Sequence, residues 1–416
     1  MAMRTGPLGL ALFSCLAAAC LSDFALAAVK APINVLYISR GGLWHQFMDQ
    51  DPAISTFWIP VPGHSHIELL GQDPAVLQRI MRIYMPRRLE DLLARYTMVI
   101  LEECPYASTA YDSIWFEDDW VRMFVEGIEA HGLSFEMWGG DASYGGGGEG
   151  FYLSWGDTFL GPLLPVECLG GYNYEVATPQ KVEFTDTDSP LARLPWGSCP
   201  PVELNNKVRL RPGAHQVAEV VYGEARWPYI FDWRWGEGFV VGETQVVHSR
   251  STLNLMINNW EYFPDFVTYL AYYGAGREIP LDIMLVKRVR SQIQGHYAGR
   301  STVLSVLEFA EMFGADVTRA YAQVSRIDEA HSESEELFIL EDYDACSLAL
   351  ESVEDMWRQL SSGAIRLKDR ALRWVYLVEY LSISAIAMVS GFCLWTLMVR
   401  RKLYRETAAT KLARST

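Results

Sequence analysis

Apolar residues along this chain fall into three rhythms, and each predicts a different kind of element. Short, nearly unbroken apolar runs come first: INVLYIS at 33–39, STFWIPV at 55–61, MVIL at 98–101 and LSFEMW at 133–138. Such runs suit strands buried on both faces of a sheet. Between them the spacing turns helical at 75–83, 88–93 and 116–129. The last of these sets Trp120, Phe124 and Ile128 four residues apart and stops at Gly132. Strand and helix alternating in this way predict an α/β domain with a mostly parallel, doubly wound sheet. Further strands are expected at 216–222, 229–232 and 238–244. A helix is expected over 253–273, interrupted at Pro264. The α/β domain is placed at 28–278.

Beyond residue 301 glycine and proline become scarce, and apolar residues recur at spacings of three and four. One stripe passes through Val303, Leu307, Ala310, Phe313, Val317 and Val324. A second passes through Val353, Met356, Leu360, Ala364, Leu367, Ala371, Trp374 and Val378. With a polar turn at 331–334, the two predict a helical hairpin, a stalk placed at 279–374. The stripes could pack on each other or on a second protomer, so a homo-oligomer or a membrane-complex partner is expected through the stalk. The third rhythm is continuous: residues 380–399 (YLSISAIAMVSGFCLWTLMV) carry no charge. About 20 apolar residues cross a bilayer as a helix. One transmembrane helix is therefore placed at 375–399, followed by a basic tail at 400–416.

The N-terminus reads as a secretory signal peptide at 1–27: Arg4, an apolar centre and the small-residue site Ala25-Leu26-Ala27. Together with Arg400, Arg401 and Lys402, it orients the chain with its globular head outside the cytoplasm and a cytoplasmic tail in the cell membrane. The net charge is −16, and the tail is basic, so the head is strongly acidic. Nucleic acid is excluded as a partner, because its phosphates need a basic footprint. Four cysteines fall in the exported part, Cys104, Cys168, Cys199 and Cys346. Export permits disulfides, and the pair expected is Cys168 with Cys199.

The strand at 133–138 runs into Gly139-Gly140-Asp141-Ala142-Ser143, a tight turn of the kind that presents a nucleophile at a sheet edge. Ordered around it are INVLYIS, ILEECP, FEMWGGDASYGG, Trp155-Gly156-Asp157-Thr158 with Leu163-Leu164-Pro165-Val166, GEGFVVGETQ, and Asn259-Trp260-Glu261-Tyr262-Phe263. In this order, over 33–276, the chain resembles the class I glutamine amidotransferase-like family. The resemblance implies a flavodoxin-like fold with a crevice at the carboxyl ends of its strands. It also implies a cysteine at the elbow, working with a histidine and a glutamate, and this chain has no cysteine there. Glutaminase chemistry through the elbow is therefore not expected. A non-catalytic head for ligand sensing or scaffolding is.

Catalytic candidates for the alternative, a hydrolase acting on an amide or sugar-derived substrate, are Cys104, Asp141 and His248. Against these stand a buried cysteine, a turn-capping aspartate and a loop histidine. Gly139, Gly140, Asp141 and Ser143 are candidates for ligand binding through backbone N–H groups. His64, His66 and Glu68 alternate and would share one face if extended, a weak zinc spacing that lacks a fourth ligand. Gly145–Gly148 lacks the ending of a phosphate loop, and no cofactor is expected. The alternating Trp227, Tyr229, Phe231, Trp233 and Trp235 suit a sheet's core face, with a saccharide platform as the alternative.

Overall fold

A computed structural model describes residues 31–40, 44–61, 73–108, 113–114, 116–140, 143–144, 153–169, 174–175, 179–202, 205–245 and 255–413. The expected signal peptide lies outside them. The chain divides into two compact units. One comprises the described residues up to Arg290 with Glu336–Tyr343; the other comprises Ser291–Glu335 and the chain from Asp344.

The first unit is built on one eight-stranded sheet. Its strands are β1 (Ile33–Ser39), β2 (Ile54–Pro60), β3 (Met98–Glu102), β4 (Ser134–Trp138), β5 (Lys181–Phe184), β6 (His215–Tyr222), β7 (Ala225–Trp235) and β8 (Gly238–Glu243). Their order is β2-β1-β3-β4-β8-β7-β6-β5. The first five run parallel, and the last three extend the sheet antiparallel. The mixed α/β class and the mostly parallel sheet are thus as the apolar runs predict. The most apolar runs sit centrally: every residue of β3 is buried, whereas β2 at the edge alternates.

The helices of this unit are α1 (His45–Met48), α2 (Pro74–Tyr84), α3 (Leu89–Arg95), α4 (Asp118–His131), α5 (Leu255–Asn259) and α6 (Phe263–Gly274). Met81 of α2, Leu92 of α3 and Phe124 and Ile128 of α4 share one core with Leu36, Val99, Leu101, Phe135 and Val240 of the sheet. Asp73 caps α2 through the Ala75 N–H at 2.9 Å, ahead of Pro74. Gly132 ends α4 in the left-handed conformation at φ 68°. On the opposite face Trp44 packs on Trp138 and on Phe263 of α6, with ring centroids 5.0 and 5.1 Å apart. The helix expected over 253–273 is two helices, because Pro264 starts α6. In the alternating aromatic run Phe231 is buried in the core that α2, α3 and α4 share, and Trp233 and Trp235 pack against it, whereas a bulge turns the buried Tyr229 away from it to stack on Phe266 of α6.

The second unit is helical and carries most of α7 (Ile283–Met312), α8 (Thr318–Ile339) and α9 (Tyr343–Ala413). Both apolar stripes meet in one core of Val303, Leu307, Ala310, Val317, Val324, Val353, Leu360 and Ala364. The expected hairpin is corrected to three helices. Residues 331–334 lie inside α8. The chain instead reverses after α7 at Gly314 (φ 81°), where Asp316 caps Thr318, and again at Glu341 (φ 65°). The segment 380–399 of α9 is long and apolar enough to cross a membrane, and its apolar window is not buried against protein.

The expected Cys168–Cys199 bridge is corrected as well: Cys168 and Cys199 are both free thiols, as are Cys104 and Cys393. Cys168 packs over Gly156, and Cys199 directs its thiol to the Pro200 carbonyl at 3.3 Å, so each is committed locally.

Candidate functional site at the carboxyl ends of the parallel strands

The sheet reverses its order between β1 and β3, since β2 lies to one side of β1 and β3, β4 and β8 to the other. In open α/β sheets ligands bind outside the carboxyl ends of the strands at such a reversal. In this chain the strand ends there are polar. β1 leads into Arg40, β3 into Glu102 and Glu103, β4 into Gly139 and Gly140, and β8 into Glu243, Thr244 and Gln245. All of the side chains named are buried.

Arg40 and Glu103 form a buried ion pair, Nη1 to Oε1, at 3.3 Å. Glu103 holds a left-handed backbone (φ 44°), a conformation that costs a non-glycine residue of the order of 1 kcal/mol or more. Beside it Tyr37 donates its hydroxyl to Glu102 at 3.3 Å. Burial, reinforced by Glu102, keeps that phenol protonated.

The period-two geometry of strands puts Glu102, Glu136 and Glu243 on the same sheet face, on three neighbouring strands. Burial dominates the surroundings of Glu136 and Glu243. Glu136 is pushed well above the usual carboxylate range by burial and by Glu243, against the Trp138 N–H it accepts at 2.7 Å. Glu243 is pushed to about 8 by burial, with Glu102 adding to it. The Gln245 and Gly139 N–H groups and the Tyr229 hydroxyl oppose the shift. At neutral pH Glu243 is therefore mostly a neutral acid, able to donate a hydrogen bond, and its Oε2 has no partner. Glu243→Gln tests this. The unfolded carboxyl ionises near 4.5 and the folded one near 8. The group's contribution to stability is full below pH 4.5 and is lost as pH rises toward 8. Relative to wild type, the variant's melting temperature should rise between pH 5 and pH 8. An unchanged difference would remove Glu243 as a neutral acid.

The described residues of the elbow, Gly139, Gly140 and Ser143, are closely packed. A Cβ on Gly139 would lie 2.4 Å from the Gln245 carbonyl oxygen, and one on Gly140 would lie 2.2 Å from Glu103 Cγ. Asn206 brackets Gly140, accepting its N–H at 2.9 Å and donating to its carbonyl at 3.0 Å. Ser143 gives its hydroxyl to the Trp138 carbonyl at 2.8 Å, and the Tyr144 hydroxyl lies 2.7 Å from the Met137 carbonyl. Cys104 is buried in the hydrophobic core. Burial, then Glu102, pushes its thiol well above the usual range. A nucleophilic cysteine needs the opposite shift.

Asp141 and His248 lie outside the described residues, as do His64, His66 and Glu68. Among the described residues no group of three or more His, Cys, Asp or Glu could hold a metal ion. Sequence reasoning passed over Arg40, Glu102, Glu103, Glu243 and Asn206. The usable signal was acidic residues immediately after all-apolar strands; Asn206 carries no such mark.

No family model matches the chain, and no curated protein matches it. Over 57% of its length it is similar to 98% of a cytoplasmic protein from Salmonella typhimurium, at 14% identity and a TM-score of 0.44. A second cytoplasmic protein, from Salmonella typhimurium LT2, is similar at 17% identity and a TM-score of 0.44, over 58% of this chain and 99% of that one. A ThuA-like protein from Parabacteroides merdae is similar at 14% identity and a TM-score of 0.39, over 60% and 94%.

Proposed function

We propose that this chain is a membrane-anchored protein whose head is a non-catalytic, flavodoxin-like relative of the glutamine amidotransferases. In this reading the head lies outside the cytoplasm and senses a small ligand at the carboxyl ends of its parallel strands. The observation that carries the reading is the elbow. Gly139 is wedged against the Thr244–Gln245 main chain and Gly140 against Glu103, the Ser143 hydroxyl is spent on a main-chain carbonyl, and the nearby Cys104 thiol stays protonated. The neutral Glu243 carboxyl, with an unpartnered oxygen, supplies a donor suited to an acceptor group on a ligand. The ordered motifs, the strand order β2-β1-β3-β4-β8 and the uncharged segment 380–399 support the remaining parts.

The test uses the full chain expressed in membranes. Alkaline carbonate should leave it in the pellet, and protease should cut the head only from the non-cytoplasmic side. In detergent, ammonia release from glutamine should not exceed that of buffer, and Cys104→Ala should change nothing. Hydrolysis that disappears in Cys104→Ala would replace this reading with the hydrolase. Release by carbonate would remove the anchor.

A further inference from the structure

The helical unit buries two histidines that no part of the strand-end site uses. His296 on α7 and His331 on α8 are 5% and 3% exposed. Their rings stack with centroids 3.7 Å apart and planes 15° from parallel. Trp357 on α9 donates its indole N–H to His296 Nδ1 at 2.9 Å. An indole can only donate, so Nδ1 must be bare and the ring's single proton sits on Nε2. That nitrogen faces Asp328 Oδ1 at 3.4 Å. One imidazole pair thus touches all three helices.

The surrounding charges come from two of the helices. On α7, Arg300 holds both Asp328 oxygens at 3.0 and 3.1 Å, and the Tyr297 ring stands edge-on to both imidazoles at 5.3 Å. The Ile293 main chain lies beside His331. On α8, Asp328 is already shared with Arg300. Glu335 is 3.8 Å from His331 Nδ1 and accepts the Tyr297 hydroxyl at 2.9 Å. The other His331 nitrogen, Nε2, is buried without a partner. α9 contributes Trp357, which belongs to the core with Val303, Leu307, Val353 and Leu360.

A second proton on His296 has one place to go, Nδ1, where an N–H already points. It would set two donors against each other and place a cation on a stacked ring beside Arg300. We propose that the His296–His331 pair is a proton-operated latch: acidification charges the stack, expels the Trp357 contact and loosens α7, α8 and α9. The same α9 continues into the apolar segment, so the latch lies on the helix read as the membrane span. The latch does not depend on the head's ligand or its lack of catalysis.

The energetics point the same way. Burial, then His331, hold His296 down to about 4, with Asp328 opposing and Arg300 assisting. Burial also lowers His331, against Glu335, the Ile293 main chain and Asp328. A depressed histidine gives stability that is full above its unfolded value, near 6.5, and is lost as pH falls toward the folded value. Between pH 7.5 and pH 5.0, His296 alone should raise the opening equilibrium of the unit about 25-fold.

Hydrogen exchange on the full chain in detergent, corrected for intrinsic rates, reads this directly. Protection in residues 291–335 and 344–370 should fall about 25-fold at pH 5.0. His296→Asn keeps an acceptor for the indole and cannot titrate, so its protection should fall much less than the wild type's, with only the lowered His331 left to titrate. Equal losses in wild type and variant, or no loss in wild type, would overturn the latch. Should His296→Asn fail to fold at pH 7.5, imidazole NMR of wild type and Trp357→Phe decides. A wild-type His296 midpoint near 4 that moves up when the indole N–H is removed supports the latch. A wild-type midpoint near 6.5, or one that Trp357→Phe leaves in place, overturns it.

Discussion

Alanine at Gly139 is expected to destabilise the α/β unit by about 3 kcal/mol, the upper part of the range for overpacked sites. The added Cβ would stand 2.4 Å from the Gln245 carbonyl oxygen and 2.5 Å from that of Thr244, both main-chain atoms. No rotamer change relieves such a clash; β4 and the end of β8 would have to part. In a unit of this size about 3 kcal/mol lowers the melting temperature by roughly 6–12 °C. Gly197→Ala is the control, because its Cβ would meet nothing within 4 Å, and it should leave the transition in place. Thermal unfolding followed by circular dichroism distinguishes the two. If Gly139→Ala melts like wild type, the elbow has free space, and the case that packing has consumed it fails.

That elbow shows where sequence was legible and where it was not. The run LSFEMW followed by two glycines predicted a strand and a tight turn; the strand is present as β4, and beyond it the Ser143 N–H returns to the Gly140 carbonyl at 3.2 Å. The reason for the glycines was invisible, because the atoms they avoid belong to Glu103, Thr244 and Gln245, far away in sequence. The pairs that form the site share this property. Arg40 meets Glu103 across 63 residues, and Gly140 meets Asn206 across 66. Periodicity reports which way a residue faces, not which distant residue it faces.

The same limit explains the stalk. Most positions of both stripes are core, although Trp374 and Val378 at the end of the second are exposed; the first stripe continued through Phe313 and Val317 on either side of the chain reversal, so Gly314 was not recognised as a break. His331-Ser332-Glu333-Ser334 looked like a turn because it is polar. It is helical because His331 stacks on His296, and the buried Ser334 returns its hydroxyl to the Ala330 carbonyl at 2.8 Å. Polar residues buried by specific partners defeat a reading that equates polarity with exposure.

Arg290→Met should be the most damaging single change away from the strand ends, at about 3–5 kcal/mol, the cost of orphaning buried charges. The Arg290 guanidinium lies 3.0 Å from Asp265 Oδ1 and 3.2 Å from Asp51 Oδ2, and it covers the Tyr269 ring at 4.9 Å. The contact with Asp51 is an ion pair without hydrogen-bond alignment. Asp51 therefore relies also on the Ala53 N–H and the Tyr272 hydroxyl, each at 2.9 Å. Both carboxyls are already raised by burial, with Arg290 the main group opposing. Without it they climb further. A raised carboxyl favours the folded state below its unfolded value, and that contribution is lost as pH rises through the folded value. The defect should therefore be largest at pH 7–8 and shrink toward pH 5 as the orphaned carboxyls take up protons. Adding Asp51→Asn and Asp265→Asn to Arg290→Met should recover much of the loss at neutral pH, since no buried charge is left unpaired. By contrast, breaking the exposed Arg209–Glu167 pair should shift urea unfolding little. A defect in Arg290→Met that is independent of pH, or that the two asparagines leave untouched, would mean that the arginine's packing on Tyr269, not its charge, holds this part of the core.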